Sequence, residues 1–461
     1  MPFFDELRTH PRFRYFLLAG TFSFAAPTAA LVVLTNEIVR GYGSSGTGAD
    51  YAALALALLG LSATLPTLGA AVVSGTLADR VNRLRLMRGV TAIALLSLSI
   101  AAVVVGLRPS ALFAAPGAAG FHLPVWVLLL FPAWAAMTAA ATIFRPAFNA
   151  SLPRLVRPES LGRANGLIFG LTVVVGVASW IAVGPITQYA GAVPALLLPI
   201  GLFAASLVCL GVLDVQLEDR RIGPRHAFLS DAAEGYRFLA HRRELLALTL
   251  GSLGINFLNA VAFVEFPLYA IDYLGGSATL LGAFYAVGSI GGGVGAFLIG
   301  RSQFERSAGR IIALLVVPMG LTVAALPLLR SPVLALGDMF LFGLFPGMVQ
   351  TVFLAGVQGT VPNRLLGRVF AADEVGSFGL VPVGQFAGGL LTVAFGLEST
   401  YFLAGVGTVA IGLALLLLPA VARFRFAPEP AVPPGVGVPT SVPEPLPGGP
   451  IVGSGEPPPY S

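Results

Sequence analysis

Long apolar runs, separated by short charged or glycine- and proline-rich segments, dominate the hydrophobic pattern of this chain. A bilayer core of about 30 Å needs about 20 apolar residues per helix, so each run is long enough to cross a membrane. The pattern therefore predicts twelve spans. Those of the first half cover approximately 14–38, 50–73, 87–107, 124–145, 162–187 and 192–213. Those of the second half cover approximately 245–273, 277–300, 310–329, 332–354, 373–396 and 400–421.

The composition supports a membrane protein and excludes several classes of function. Of 461 residues, 56% are hydrophobic and 11% charged, which leaves too few polar groups for a soluble surface. All 27 basic residues are arginine, so the chain lacks the lysine of a nucleotide-binding P-loop and cannot form a Schiff base. ATP-driven transport by this chain alone is excluded. No constellation of catalytic groups occurs within the spans, and we expect no enzyme.

Metal, cofactor and nucleic-acid binding are not expected either. Cys209 is the single cysteine, and no two of the four histidines stand at ligand spacing. The net charge of +5 comes from arginines that flank hydrophobic spans, which topology explains better than nucleic acid does.

The arginines also predict how the chain is oriented. With twelve spans, 24 of them fall in segments on one side and only Arg40, Arg108 and Arg330 on the other. The positive-inside rule then places both termini in the cytoplasm. The acidic start of the chain argues against a signal peptide. Abundant alanine, glycine and arginine without lysine hint at a bacterial source, so we expect a bacterial plasma (inner) membrane.

The span pattern divides the chain into four parts. We predict an N-terminal six-helix bundle at 1–213, a cytoplasmic linker at 214–244, a C-terminal six-helix bundle at 245–422 and a disordered tail at 423–461. Twelve of the 35 prolines lie from 427 onward. A short motif recurs at an offset of 205, in which Val156, Leu161, Gly162 and Arg163 correspond to Val361, Leu366, Gly367 and Arg368. This suggests a parallel duplication of the kind found in alternating-access transporters.

Ionisable groups inside hydrocarbon are costly, so each one is a candidate for proton coupling or substrate charge. Asp338 lies eight residues beyond Arg330, about 12 Å into span ten at 1.5 Å per residue, and is the leading proton-site candidate. Its alternative is a protonated carboxyl that bonds a neighbouring helix. Glu265 and Glu37 lie near the outer boundary by the same measure. Both are candidates for proton or substrate contact or, alternatively, rim residues.

Two asparagines are the candidates for substrate contact. Asn256 and Asn259 stand at i, i+3 spacing near the middle of span seven, so they share one helix face. That face either binds substrate or forms hydrogen bonds between helices.

The segment after span two carries a charge pattern suited to gating. It places Gly75, Asp79, Arg80 and Arg83 at a helix end, where charge pairs would latch one face and break as the halves move. The alternative is a solvated topogenic loop.

At these residues the chain resembles the major facilitator superfamily, whose loop between helices two and three carries Gly-x-x-x-Asp-Arg-x-Gly-Arg. Gly75, Asp79, Arg80 and Arg83 match, and Asn82 replaces the second glycine. Residues 146–167, which follow span four, look like the loop at that place in the enterobactin-exporter-like and multidrug-efflux branch. Gly184 and Pro185 are similar to the end of the antiporter motif in helix five, and this likeness favours export.

The resemblance implies an all-α membrane protein with twelve transmembrane helices in two pseudo-symmetric six-helix bundles. The function we expect is proton-coupled efflux of a small amphipathic organic compound, such as a drug or siderophore, by alternating access and without a cofactor. The expected partners are substrate, protons and the lipid bilayer, and the expected state is a monomer. The alternatives are a proton symporter or facilitator that imports a nutrient, and a lipid-moving membrane protein.

Overall fold

The computed structural model describes residues 11–42, 47–108, 112–114, 122–156, 160–214, 228–301, 307–362 and 365–424. Within these residues, twelve helices are long and apolar enough to cross a membrane, which confirms the predicted number of spans. Most of the predicted tail, beyond 424, and residues 215–227 of the predicted linker lie outside this part of the chain. The predicted bundle boundaries stay predictions.

Spans 1–6 and the segments between them form the first half of the fold. The spans are the helices Pro11–Tyr42, Thr47–Arg80, Arg83–Leu107, Val125–Ser151, Leu161–Tyr189 and Ala192–Val212. Two short antiparallel strands, Leu112–Ala114 and His122–Pro124, precede span 4, and a 3-10 turn, Leu152–Arg154, follows it.

Spans 7–12 form the second half and are preceded by a helix at Phe228–His241. Spans 8, 10 and 12 are the single helices Ala278–Gly300, Pro332–Thr360 and Leu397–Leu417. The other three spans each consist of consecutive helical segments. Span 7 comprises Arg243–Val264, Phe266–Leu268 and Tyr269–Tyr273. Span 9 comprises Ala308–Ala325 and Leu326–Leu328, and span 11 comprises Leu366–Phe378 and Val381–Phe395. A short helix, Pro419–Arg423, follows span 12.

The twelve helices have two kinds of ends. We call the side reached by residues 108 and 124 the loop face, and the opposite side, where span 1 begins and span 12 ends, the terminal face. Because each span is apolar around much of its circumference, its backbone is satisfied within the helix while its side chains meet lipid or neighbouring helices.

Span 7 changes its helical geometry at Glu265. Pro267 has no N–H to donate to the preceding turn, and the Glu265 N–H bonds the Ala262 carbonyl at 3.2 Å in the tighter 3-10 manner. Beyond Pro267 the helix continues as a π-helical turn, Tyr269–Tyr273. The span therefore runs on past Glu265 to Tyr273 instead of unwinding there.

Spans 8 and 10 pack backbone against backbone. A Cβ atom at Gly343 would collide with the carbonyl oxygen of Gly288, and one at Gly291 with the carbonyl oxygen of Phe340. Only glycine permits so close an approach, which is a common way for helices to associate in lipid.

Candidate functional site: a cavity between the two bundles

A cavity of about 190 Å³ lies where spans 1, 2 and 4 face spans 7, 8 and 11. Its wall is mainly aliphatic and aromatic, with Thr35 and Gln385 as the polar side chains beside the rings. A largely apolar pocket with a few polar groups is typical of small-molecule sites. Its lining includes Thr35, Trp134, Phe263, Pro267, Tyr285 and Gln385.

The loop-face side of this cavity is closed by spans 5 and 8. A Cβ at Gly184 would lie 2.8 Å from the Ala278 carbonyl oxygen, and one at Gly282 would lie 2.5 Å from that of Trp180. The Trp180 and Tyr285 rings stack with centroids 5.8 Å apart. The predicted antiporter-like Gly184 therefore permits the two bundles to touch. Pro185 lies within the span 5 helix, which continues to Tyr189.

Two hydrogen bonds also join the bundles. Thr279 donates to the Gln188 carboxamide oxygen at 2.5 Å, between spans 8 and 5 and near the loop face. Thr64 donates to the Gln385 carboxamide oxygen at 2.7 Å, between spans 2 and 11. Thr64 lies near the middle of span 2, so this second bond lies at the level of the cavity that Gln385 lines.

The same helix faces separate toward the terminal face. Gly166 lies 18 residues before Gly184, five turns of an α-helix, and so shares its face. Gly300 stands in the same relation to Gly282 on span 8. Among the described residues, a Cβ at Gly166 or Gly300 would meet nothing within 4 Å. Spans 5 and 8 therefore touch near the loop face and lie apart at Gly166 and Gly300.

Glu265 lies between the cavity and the interior of the second bundle. Its neighbours Val264 and Pro267 line the cavity, while the Glu265 side chain is 0% exposed. Neither carboxyl oxygen has a hydrogen-bond partner within the described residues. The buried Tyr401 hydroxyl, also without a partner there, interacts electrostatically with Glu265 and Tyr285. Tyr285 also lines the cavity between the bundles, so the surroundings of Glu265 adjoin that cavity.

Asp338, the leading proton-site candidate, lies in span 10 away from the cavity lining. Its Oδ2 atom is buried without a partner among the described residues, and it interacts electrostatically with Tyr269 of span 7. One turn further along span 10, Phe342 packs edge-on against Phe266, with ring centroids 5.2 Å apart. Asp338 and Glu265 therefore face the same packed interior of the second bundle.

Glu37, the third candidate, is held in an ion pair. It is buried and contacts the Arg108 guanidinium, while the Asn36 amide donates to it at 3.2 Å. The Arg108 guanidinium also lies 5.7 Å from the centre of the Trp126 ring. The pair joins the loop-face ends of spans 1 and 3.

The corresponding end of the second bundle has a different pair. Arg330 bonds Glu398 at 2.6 Å, and the Tyr273 hydroxyl donates to the same carboxylate at 2.9 Å. The two charged side chains are 68% and 56% exposed.

The two asparagines of span 7 differ in their surroundings. Asn256 donates to the Ser377 carbonyl at 3.0 Å and so bonds span 11. The Oδ1 atom of Asn259 is buried without a partner within the described residues. Neither asparagine belongs to the described lining of the cavity between the bundles, and their role in substrate contact stays a prediction.

The predicted gating segment after span 2 is described mainly through its backbone. Span 2 is helical through Gly75, Asp79 and Arg80. The surroundings of Gly75 and the side chains of Asp79 and Arg80 lie outside the described part of the chain. Asn82 accepts the Arg85 N–H at 2.9 Å and thereby caps span 3. Arg83 donates to the Ala150 carbonyl at 2.9 Å, which connects this segment with span 4.

Asp373, which is not among the residues predicted from the sequence, is half-buried where spans 7 and 11 meet. Thr249 donates to its carboxylate at 2.6 Å, and Ser377 donates to it at 3.2 Å. The i, i+4 spacing of Asp373 and Ser377 was the available signal. Among the described residues, no three His, Cys, Asp or Glu side chains are grouped so that they could hold a metal ion.

Arg145 of span 4 lies over an aromatic ring of span 1. Its guanidinium carbon is 5.6 Å from the centre of the Phe24 ring, a distance typical of cation–π contact. Phe24 itself packs edge-on against Phe144 and Phe148 of span 4.

Several solved structures share this fold. The chain matches a bacterial homologue of the iron transporter ferroportin with a TM-score of 0.63 and 16% identity, over 88% of this chain and 99% of that one. It matches the nucleoside transporter NupG with a TM-score of 0.62 and 11% identity, over 90% and 100% of the two chains.

Similarity in sequence extends to named efflux proteins. The multidrug efflux pump Tap of Mycobacterium tuberculosis is 26% identical over 429 residues, which cover 90% of this chain and 94% of that protein. Macrolide efflux protein A of Streptococcus pyogenes is 24% identical over 374 residues, 78% and 86% of the two chains.

The family model described as Major Facilitator Superfamily matches residues 104–377, which is more than half of the chain. Together with the twelve spans in two bundles, this match makes the chain a member of the Major Facilitator Superfamily, a family of secondary transporters and not of enzymes.

Proposed function

We propose that this transporter exports a small amphipathic organic compound in exchange for protons across a bacterial plasma membrane. The distribution of arginines, 24 against 3, supports a cytoplasmic terminal face. In that orientation the contacts between the bundles close the outer side, and the separated faces of spans 5 and 8 open toward the cytoplasm.

The observation that carries the proposal is the environment of Glu265. A carboxylate without a counter-ion or hydrogen bond is very costly in an apolar interior, so protonation relieves an uncompensated charge. Deprotonation becomes favourable only where water or a cation reaches the group. Movement of the two bundles against each other changes that access, because Glu265 lies directly behind the cavity wall. Proton binding and bundle position are therefore coupled.

The cavity wall favours an amphipathic substrate. Trp134, Phe263 and Tyr285 offer apolar ring surface, and Thr35 and Gln385 offer hydrogen bonds. The cavity volume of about 190 Å³ is smaller than the roughly 300–1,000 Å³ of typical small-molecule sites. A drug-sized compound would thus extend into the space between spans 5 and 8. The similarity to a multidrug efflux pump and a macrolide efflux protein supports this substrate class.

Export would proceed by exchange of the two sets of contacts. Substrate binding and proton release on the cytoplasmic side favour opening to the outside; once the substrate has left, proton entry from the outside neutralises the buried carboxyl and permits the empty transporter to return to the state open to the cytoplasm. The outer contacts at Gly184 and between Thr279 and Gln188 open when the terminal-face ends of spans 5 and 8, at Gly166 and Gly300, approach each other. Glycine at these positions leaves the backbones free to meet.

The test uses inside-out membrane vesicles that contain the full chain and a fluorescent amphipathic cation such as ethidium. Acidifying the vesicle interior should drive accumulation, and a protonophore should abolish it. Asp338→Asn and Glu265→Gln, measured separately, should each abolish the response if both carboxyls serve coupling. Glu398→Gln, which changes an exposed carboxylate on the loop face, is the matched control.

Three results would count against the proposal. Accumulation without any proton gradient would argue against coupling. Accumulation only when the vesicle exterior is acidified would favour symport. A normal response from both Asp338→Asn and Glu265→Gln would remove these carboxyls from the mechanism.

A further inference from the structure

A second, larger hollow lies outside the cavity between the bundles. It has a volume of about 410 Å³ and lies where the terminal-face ends of spans 7 and 12 meet. Its lining includes Arg243, Leu246, Leu250, Gly251, Ala414 and Leu418. We call it the span 7–12 groove.

The floor of the span 7–12 groove is apolar and open to the membrane. Leu250 is 56% exposed and Leu418 is 44% exposed. Gly251 permits spans 7 and 12 to approach closely at the floor, because a Cβ there would lie only 2.9 Å from the Leu415 Cδ1 atom. In a membrane-spanning protein, exposed leucines at this depth contact acyl chains.

The mouth of the groove carries positive charge. Arg243 lines it and is exposed. Next to it, Arg242 bonds Glu244 at 2.5 Å, and Arg423 also interacts electrostatically with Glu244. Among the described residues, Arg243 thus contributes its guanidinium to the groove lining itself, and Arg242 and Arg423 lie nearby around the single carboxylate of Glu244.

The length of the groove suits the phosphate and the first part of one acyl chain of a phospholipid. Arg243 and Gly251 are eight residues apart, about 12 Å along the helix. A phosphate at Arg243 would therefore place the first part of an acyl chain beside Gly251 and Ala414. Basic pockets between transmembrane helices at the membrane surface are suited to anionic headgroups.

We propose that the span 7–12 groove binds one anionic phospholipid, with its phosphate at Arg243 and an acyl chain along Leu250 and Leu418. The site is separate from the cavity between the bundles. The bound lipid holds the terminal-face ends of spans 7 and 12 together without entering the transport path.

Native mass spectrometry of the purified full chain in detergent tests this site. The probes are dioleoyl phosphatidylglycerol and dioleoyl phosphatidylcholine, which share acyl chains and differ in headgroup charge. Phosphatidylglycerol should bind more tightly. Arg243→Gln should weaken its first binding step roughly fivefold, because one basic residue at a membrane surface contributes about 1 kcal/mol. Phosphatidylcholine binding should change little.

Two further variants locate the acyl chain, and one controls for charge. Ala414→Phe fills the groove and should weaken binding of both lipids. Ala410→Phe, one turn away on the same span and outside the groove lining, should weaken neither. Arg301→Gln removes a terminal-face charge that lies over the Phe297 ring and should leave phosphatidylglycerol binding unchanged.

Equal affinity of both lipids, or an Arg301→Gln effect as large as that of Arg243→Gln, would overturn the anionic selectivity. Full binding by Ala414→Phe would overturn the location.

Discussion

Two buried glutamates occupy related places in the two bundles and have opposite surroundings. Glu37 lies near the loop-face end of span 1, the first helix of its bundle, and Glu265 lies near the loop-face end of span 7. Span 3 is followed by Arg108, which pairs with Glu37, and span 9 is followed by Arg330, which pairs with Glu398 instead. Glu265 is left without a partner among the described residues.

This difference separates a structural acid from a candidate proton site. Both side chains are buried, so burial alone does not distinguish them. A counter-ion stabilises the charged form of Glu37, whereas none of the described residues provides one for Glu265. Related positions in the two bundles thus hold an acid in an ion pair in one half and an acid without a described partner in the other.

The largest expected effect is on transport itself. Glu265→Gln should reduce proton-driven accumulation in inside-out vesicles to the level seen without a gradient, because the amide cannot exchange a proton. Glu37→Gln should retain the response, since its charge serves the Arg108 pair. If Glu37→Gln also lost the response, the comparison between the bundles would fail.

The second effect is on stability in the first bundle. Arg108→Gln leaves the buried Glu37 charge without its counter-ion and should lower the free energy of unfolding by about 2 kcal/mol, less than for a fully buried pair because Arg108 is half exposed. Unfolding by SDS in mixed micelles measures this change. The double variant Arg108→Gln with Glu37→Gln should recover most of the loss, and an additive loss would show that the pair is not the cause.

A smaller effect is expected at the caps of spans 3 and 9, which are also equivalent. Asn82 accepts from the Arg85 N–H at 2.9 Å, while Ser307 accepts from the Arg310 N–H at 3.4 Å. Ser307 additionally donates to the Phe424 carbonyl at 2.9 Å.

Either Asn82→Ala or Ser307→Ala should cost about 1 kcal/mol of unfolding free energy, and Asn82→Gly only a few tenths. The same SDS titration measures these changes. A glycine variant as unstable as the alanine variant would contradict the capping role of Asn82.

The smallest effect should come from Arg330 and Glu398. Because both side chains are more than half exposed, Glu398→Gln should change the free energy of unfolding by no more than about 0.5 kcal/mol. Transport should stay near the unaltered rate. A loss of unfolding free energy comparable to that of Arg108→Gln would mean that the exposed pair stabilises the fold as much as the buried pair does.

The sequence predicted the arrangement of the spans because hydrocarbon thickness imposes a simple length requirement on each helix. Glycine at position 184 was also informative, since close packing between helices has few other solutions in lipid. The family motifs identified the same fold independently of hydropathy.

The candidate site was less predictable because its properties depend on contacts distant in the chain. Glu37 and Glu265 looked alike by distance from the membrane edge, and only the position of Arg108, 71 residues from Glu37, separates them. The partner of Asn256 is a backbone carbonyl 121 residues away. Asp373 lay at the predicted start of span 11, whereas the helix begins at Leu366, so its half-buried position was not evident.

The backbone contact between spans 8 and 10 has a consequence for mutational surveys of this chain. Gly291 and Gly343 are not part of the described lining of the cavity between the bundles, yet any side chain at either position would collide with the facing main chain. A saturation library scored for transport should return these two codons as inactive with nearly every replacement. Such positions would report the close packing of helices within one bundle and not the site where a compound binds.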